Sequence, residues 1–373
     1  RKSIALVDRG QTRSATARSI RSERGQCVTT PSTRSGAGSD TLMYVFNFEN
    51  NDGFSVIAAN RAVDPVLAVA EKGNYTYGEP TGVENFDFYM DAMAQSLAVI
   101  KPPKFDTIRT TPKFKTVEVN ESRSCDPLIP VRWGQRSPYG DYCSNGYSGC
   151  VATAIAQIMA YYRFPSSFTT TYTDAPHAGE TIALNWTSII SYPYVYQVPA
   201  LMREIGQRVE MTYHPIDEND METGSSAFSY MAPDCLISFG YSCASGLASY
   251  EIASIRTNLD ETHPVYVRAN DISEGGHAWI ADGYIYSRIG TEYYEEILID
   301  NGLTLYYDYI LTNSTVQTTN LVHYNWGWNG SCDGYFAPGD GVASGNGYIF
   351  NGLQMITSIR LPRIDSNLNQ DFL

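Results

Sequence analysis

The stretch Ser148-Gly149-Cys150-Val151-Ala152-Thr153-Ala154-Ile155-Ala156-Gln157-Ile158-Met159 is the sharpest feature of this 373-residue chain. A run of small and aliphatic residues packs as a close-fitting helix, and this one follows a loop holding Asn145, Gly146 and Gly149. The spacing predicts a helix over 150–162 with Cys150 at its start. A thiol at a helix N-terminus meets unpaired N–H groups and the positive end of the dipole, so the sequence predicts a lowered pKa and a nucleophilic thiolate. Read alone, Cys150 fits a buried cysteine among small core residues better than a nucleophile.

Three further motifs give that cysteine company. Glu274-Gly275-Gly276-His277-Ala278-Trp279-Ile280 sets a histidine behind two glycines at the head of an apolar strand, where a substrate backbone can approach closely. The chain has only five histidines, which makes this one stand out. His323-Tyr324-Asn325-Trp326-Gly327-Trp328-Asn329-Gly330 offers an Asn that can orient an imidazole and an indole that can shield the hydrogen bond. Trp133-Gly134-Gln135-Arg136-Ser137-Pro138-Tyr139-Gly140 offers Gln135, whose amide, with the backbone N–H of Cys150, can stabilise an oxyanion. In chain order, Gln135, Cys150, His277 and Asn325 are the parts of a papain-type thiol hydrolase. Long separations are normal for groups that meet in space.

Around these motifs the chain divides. Residues 1–37 are rich in Arg, Ser and Thr and read as an irregular basic arm, with a short strand near Ile4–Val7. Strand patterns follow at 42–48, 53–59 and 66–70, and helical spacing of Phe88, Met90, Met93, Leu97 and Ile100 predicts a helix over 84–100. These pieces form a small α+β module over 38–115. Residues 101–123, with Pro102, Pro103 and Pro112, read as a protease-sensitive linker. A larger domain over 116–373 carries helices near 150–162, 198–209 and 249–258, then strands at 264–268, 278–286, 293–298, 319–324 and 355–361. Helices first and strands later predict an α+β fold.

With 43% hydrophobic and 13% aromatic residues, the chain can bury a sizeable core. The net charge of −14 is uneven, near +1 over residues 1–121 and near −15 over the rest, as for two segments that pack together. That acidity excludes nucleic acid as the main partner. No apolar run of about 18 residues predicts a membrane helix. Seven cysteines leave at least one thiol unpaired in a monomer, and no CxxC pair or HExxH motif implies a metal. The first residue is Arg and not Met, which suits a processed product.

Together Gly-Cys-Val-Ala-Thr-Ala with Ala-Gln-Ile-Met, Gly-Gly-His-Ala and Asn-Trp-Gly-Trp resemble the streptopain family of bacterial cysteine peptidases over residues 130–361. The strands around Tyr44–Phe48 and Phe54–Ala59 resemble that family's pro-segment. The resemblance implies a papain-like catalytic domain behind a pro-domain that inhibits it intramolecularly and is removed by proteolysis, with self-cleavage between about Lys104 and Arg123. It implies Cys150 as nucleophile, His277 as ion-pair partner and general acid, Gln135 as oxyanion donor, and Asn325 or Trp326 as the group that positions or shields His277. Gly149, Gly276, Glu222 and Thr223 would line the substrate cleft, Glu222 favouring basic side chains. The stretch 338–347 would be a mobile loop beside it. The implied protein is a secreted or cell-surface monomer acting on proteins or peptides without metal or cofactor. An amidase or acyltransferase acting on cell-wall peptides through the same thiol scaffold, and a catalytically dead binding protein, are the competing readings.

Overall fold

The computed structural model describes residues 23–29, 41–59, 63–100, 113–215, 224–243, 246–271, 275–300, 305–338 and 353–361. The proposed short strand at Ile4–Val7, Glu222, Thr223 and residues 339–347 of the Gly-rich loop lie outside them.

An antiparallel meander runs through β1 (Glu23–Thr29), β2 (Thr41–Asn47), β3 (Phe54–Ala58) and β4 (Val66–Ala70), the last three rich in apolar residues. Helix α1 (Glu84–Val99) lays Phe86, Tyr89, Met90, Met93 and Leu97 into the core, fully buried or nearly so. Full burial of such side chains is worth roughly 1.5–3 kcal/mol each. The basic arm is corrected in part: residues 23–29 pair with β2. Their sequence, Glu-Arg-Gly-Gln-Cys-Val-Thr, carries no apolar alternation, yet it forms an outer strand held by its backbone ladder.

Then come β5 (Phe114–Cys125), α2 (Cys150–Tyr162), β6 (Ser167–Thr169), β7 (Thr181–Ala183), α3 (Trp186–Ser191), α4 (Gln197–Arg208), β8 (Thr212–Tyr213), β9 (Ser225–Ser226), α5 (Ala232–Ser238), β10 (Ala248–Ser249), α6 (Ile252–Asp260), β11 (Val265–Asp271), β12 (Gly275–Asp300), β13 (Leu305–Ser314), β14 (Gln317–Asn325), β15 (Gly334–Phe336) and β16 (Gln354–Ile356). The α+β class holds. One sheet runs β1-β2-β3-β4-β15-β14-β12-β11-β16-β10, so the N-terminal meander joins the larger domain through β4 and β15. One apolar cluster fills the space between α1 and this sheet, and a second surrounds α2, with Ile155, Ile158, Met159, Leu201 and Ile205 at its centre.

Two readings of the middle and late chain are overturned. Residues 114–123 of the expected linker fall in β5, paired with β12 from Phe114↔Glu295 to Cys125↔Tyr284. The strands expected at 278–286 and 293–298 are one continuous 26-residue strand, β12. Its distal half pairs with β5 on one edge and β13 on the other, an arm on which Phe114, Tyr307, Ile310 and Leu311 stand exposed. Periodicity missed β13 because neither of its faces meets the core.

Candidate active site

Cys150 opens α2, and its helix cap is Gly149 at φ +83°. That left-handed backbone favours glycine, and a Cβ there would also lie 2.7 Å from Met211 Cε. Residues 151–160 are all buried, so the helix carrying the thiol is a central pillar and not a surface element. Its polar residues bolt it on two sides. Gln157 Oε1 accepts from the backbone N–H of Trp133 (2.9 Å), while Gln157 Nε2 donates to Asn325 Oδ1 (3.0 Å). The hydroxyl of Thr153 donates to the Gly149 carbonyl (3.0 Å). Gln135, itself buried, accepts the backbone N–H of Ser148 at its carbonyl (2.9 Å). The loop carrying the expected oxyanion donor is thereby tied to the residue two before the thiol.

His277 lies on β12, opposite Ala269 of β11, with Gly276 opposite Asn270. The N–H of the next residue, Ala278, points at the Cys150 sulfur. Cys150 and the strand bearing His277 are therefore neighbours. The expected lowered thiol pKa is corrected for this state of the molecule. Burial pushes the Cys150 thiol up to about 11, the Glu84 carboxylate raises it too, and the N–H groups of Ala278, Val151 and Cys150 only partly oppose them. Desolvation outweighs the helix terminus.

Glu84 belongs to α1, whose first turn sits on the site. Glu84 Oε2 is 4.0 Å from His277 Nδ1, and the Phe88 ring lies 5.8 Å from the imidazole. Buried Asn85 donates from Nδ2 to the carbonyls of Ala278 (2.8 Å) and Trp326 (3.3 Å). The same helix turn thus grips the residue after His277 and the Trp326 loop. Sequence reading missed these three residues; the available signal was a polar Asn directly beside the apolar Phe86.

Asn325 ends β14, and its orienting role is not what the geometry displays. Its Oδ1 accepts from Gln157 and from the Gly327 N–H (3.1 Å), and its Nδ2 donates to the Val131 carbonyl (3.1 Å). The carboxamide is engaged as a structural tie and not with His277. Trp326 is fully buried among Phe86, Tyr89, Trp279, Tyr324 and Phe336, its indole N–H donating to the Cys332 carbonyl (2.9 Å).

A second polar group lies beside the Trp326 loop. His323 Nδ1 is 2.6 Å from Asp282 Oδ1, Asp333 Oδ1 accepts the Trp326 N–H (2.9 Å), and Glu71, just past β4, faces both His323 and Arg132.

Residues 133–336 match the sequence profile of the peptidase C10 family, and residues 5–97 match that of the Spi protease inhibitor. Streptopain of Streptococcus pyogenes is 24% identical, the match covering 84% of this chain and 80% of that protein. The thiol protease/hemagglutinin PrtT of Porphyromonas gingivalis is 25% identical over 83% of this chain and 36% of its own length. In three dimensions the chain is similar to a fragment of Prevotella intermedia prointerpain A, with a TM-score of 0.54, 20% identity, and coverage of 89% of this chain and 98% of that one.

Proposed function

The chain belongs to the peptidase C10 family, as a cysteine-type peptidase preceded by an inhibitor-like pro-domain, and from that premise we propose how its residues carry out and restrain the reaction. Cys150 is the nucleophile. As thiolate, its sulfur attacks the scissile carbonyl carbon, and the oxyanion is held by the Cys150 N–H and the Gln135 amide. His277, protonated by the thiol, passes that proton to the leaving amine as the C–N bond breaks. A water, deprotonated by His277, then attacks the thioester carbonyl and releases the acid and the thiol. Trp326 backs the site with its indole. Asn325 serves by holding α2 to β14. Gly149 and Gly276 leave room for an extended substrate backbone. Glu222 and Thr223 remain proposed cleft residues, with Glu222 disposing one subsite toward basic side chains.

Restraint comes from α1. Glu84 and Phe88 engage the His277 imidazole and Asn85 grips the strand beside it, so the helix stands where substrate and the thiolate–imidazolium pair would form. The observation that carries this reading is the Ala278 N–H aimed at the Cys150 sulfur, which brings the thiol and the His277 strand together beneath a pro-domain helix. We further propose that the protein works outside the cytoplasm as an endopeptidase. The processing cut falls N-terminal to β5, within residues 101–112, because a cut inside a 12-residue strand locked to β12 would need that ladder opened. The peptidase domain then keeps β5.

The test is a time course of the purified chain at neutral pH with reductant, wild type beside Cys150→Ala, followed on gels and by casein hydrolysis. Wild type should lose about 12 kDa, some 110 residues at roughly 110 Da each, from its N-terminus and gain casein cleavage. The variant should do neither. Equal casein cleavage by the variant would overturn the assignment of Cys150.

A further inference from the structure

The Glu71 contact joins the two parts of the chain, and its geometry is that of a built receptor. Strand β15 pairs with β14 on one edge and takes β4 on the other, through Gly334↔Ala70, Tyr335↔Val69 and Phe336↔Ala68. The ladder closes at both ends, where the Ala337 N–H donates to the Leu67 carbonyl (2.5 Å) and the Glu71 N–H donates to the Asp333 carbonyl (3.0 Å). Gly334 lets the strand come this near: a Cβ on it would lie 2.3 Å from the Val69 carbonyl oxygen. One residue beyond the ladder, the Glu71 side chain turns into the larger domain. Arg132 Nη2 donates to Glu71 Oε2, and Glu71 Oε1 lies 3.7 Å from His323 Nε2.

The larger domain prepares that meeting. His323 is 3% exposed and is oriented from behind by Asp282, whose other oxygen accepts the Ile129 N–H (3.1 Å). His323 Nε2 is buried without a hydrogen bond and faces Glu71. Asp333, the other carboxylate nearby, holds the Trp326 N–H through Oδ1. A buried imidazole braced by a carboxylate on one side and turned to a cation-flanked opening on the other is suited to a ligand carboxylate.

Resting on the pro-enzyme reading above, we propose that Arg132, His323 and the free edge of β15 are a docking site on the peptidase domain, separate from Cys150 and His277, for an extended strand bearing an acidic side chain. In the pro-enzyme, β4 and Glu71 occupy it. Once the pro-domain leaves, the site accepts another segment of the same chemistry: three residues of strand whose backbone extends the sheet, small enough to lie on Gly334, followed by Glu or Asp. It thereby selects acid-bearing extended segments of protein substrates at a distance from the scissile bond.

Two measurements test this. First, the full-length chain is compared with Glu71→Gln and Gly334→Ala for casein cleavage before processing and for processing rate. Both variants should raise these at least tenfold, the first by removing the carboxylate and the second by placing a methyl against β4. The processed enzyme from Glu71→Gln is the same polypeptide as wild type and should match it. Second, processed enzyme with Cys150 alkylated is titrated with a fluorescein-labelled peptide of residues 66–74 and with its Glu71→Gln counterpart. The acidic peptide should bind at least tenfold more tightly, and Arg132→Gln in the enzyme should abolish the difference. Equal binding of the two peptides, or binding of neither, overturns the proposal even where casein is cleaved normally. A wild-type chain that never cleaves casein, while trypsin-trimmed protein still prefers the acidic peptide, sinks the peptidase reading and leaves the docking site standing.

Discussion

Cys150 and Gln157 show how single residues set the chemistry. The thiol begins a helix, which by itself favours thiolate, yet burial and the Glu84 carboxylate push it up to about 11. At pH 7 the pro-enzyme thiol is therefore protonated. Iodoacetamide labelling of Cys150 in the intact chain should stay slow until the pH passes about 10. After the pro-domain is removed it should be fast at neutral pH, a shift read by mass spectrometry of the Cys150 peptide. Gln157 does its work through two buried hydrogen bonds, to the Trp133 N–H and to Asn325 Oδ1. Gln157→Leu keeps the size and strands both partners. The expected loss is about 2–4 kcal/mol of stability, measured by urea unfolding of a Cys150→Ala background, with casein activity falling in the otherwise wild-type chain as α2 loosens. The places of Cys150 at a helix start and of His277 at the head of a strand were legible in the sequence, because glycines flank both. The engagement of Asn325 was not, since Gln157 lies 168 residues away and no local pattern reports such a partner.

At the scale of elements, α1 and the β5–β12–β13 arm behave oppositely. Helix α1 is amphipathic in the expected way, and it docks by both apolar and polar groups: Phe86 and Tyr89 against Trp326, Asn85 on two backbone carbonyls. Asn85→Leu removes the polar grip and leaves the Ala278 and Trp326 carbonyls without that donor. It should shorten the lag before casein cleavage in the intact chain, about tenfold for roughly 1.4 kcal/mol lost, the cost of one or two such bonds. The arm buries little, as exposed Tyr307, Leu311 and Phe114 show. Replacing residues 291–315 by a two-residue turn joins β12 to β14 where Ile289 already faces Gln317. Casein hydrolysis by the processed enzyme should stay within about twofold of wild type, because His277 lies on the opposite half of β12.

Across the whole molecule, one sheet and one buried charge group couple the pro-domain to the enzyme. Burial pulls His323 down, but Asp282, with Glu71 and Asp333, lifts it to about 10. The His323 contact and Arg132 together outweigh burial and hold Glu71 near 2. Burial lifts Asp333 to about 7. A raised pKa means that the folded chain binds its proton more tightly than the unfolded one. The His323 contribution is thus complete below about 6.5 and is lost as the pH climbs through 10, while that of Asp333 is lost between about 4 and 7. Glu71 acts in reverse, stabilising above about 4.5 and failing as the pH falls toward 2. The melting temperature of the intact Cys150→Ala chain should therefore fall steadily from pH 7 to pH 10. His323→Gln should start lower and flatten that slope. An unchanged slope would show that His323 does not carry it.

Features written locally could be read from the chain alone: the helix begun by Cys150, the amphipathic α1, the strand patterns of the N-terminal module, and the chain order of the motifs around Gln135, Cys150 and His277. Periodicity, turn chemistry and motif spacing are written within a dozen residues and survive any tertiary arrangement. It took the folded chain to reveal that residues 114–125 are a strand, that β12 runs unbroken for 26 residues, that Asn325 ties two elements together, and that Glu71 and Glu84 reach the histidines of the larger domain. One cause underlies all four. Backbone ladders and buried ion pairs draw their free energy from partners far away in sequence, and burial can reverse what a local rule predicts, as it does for the Cys150 thiol.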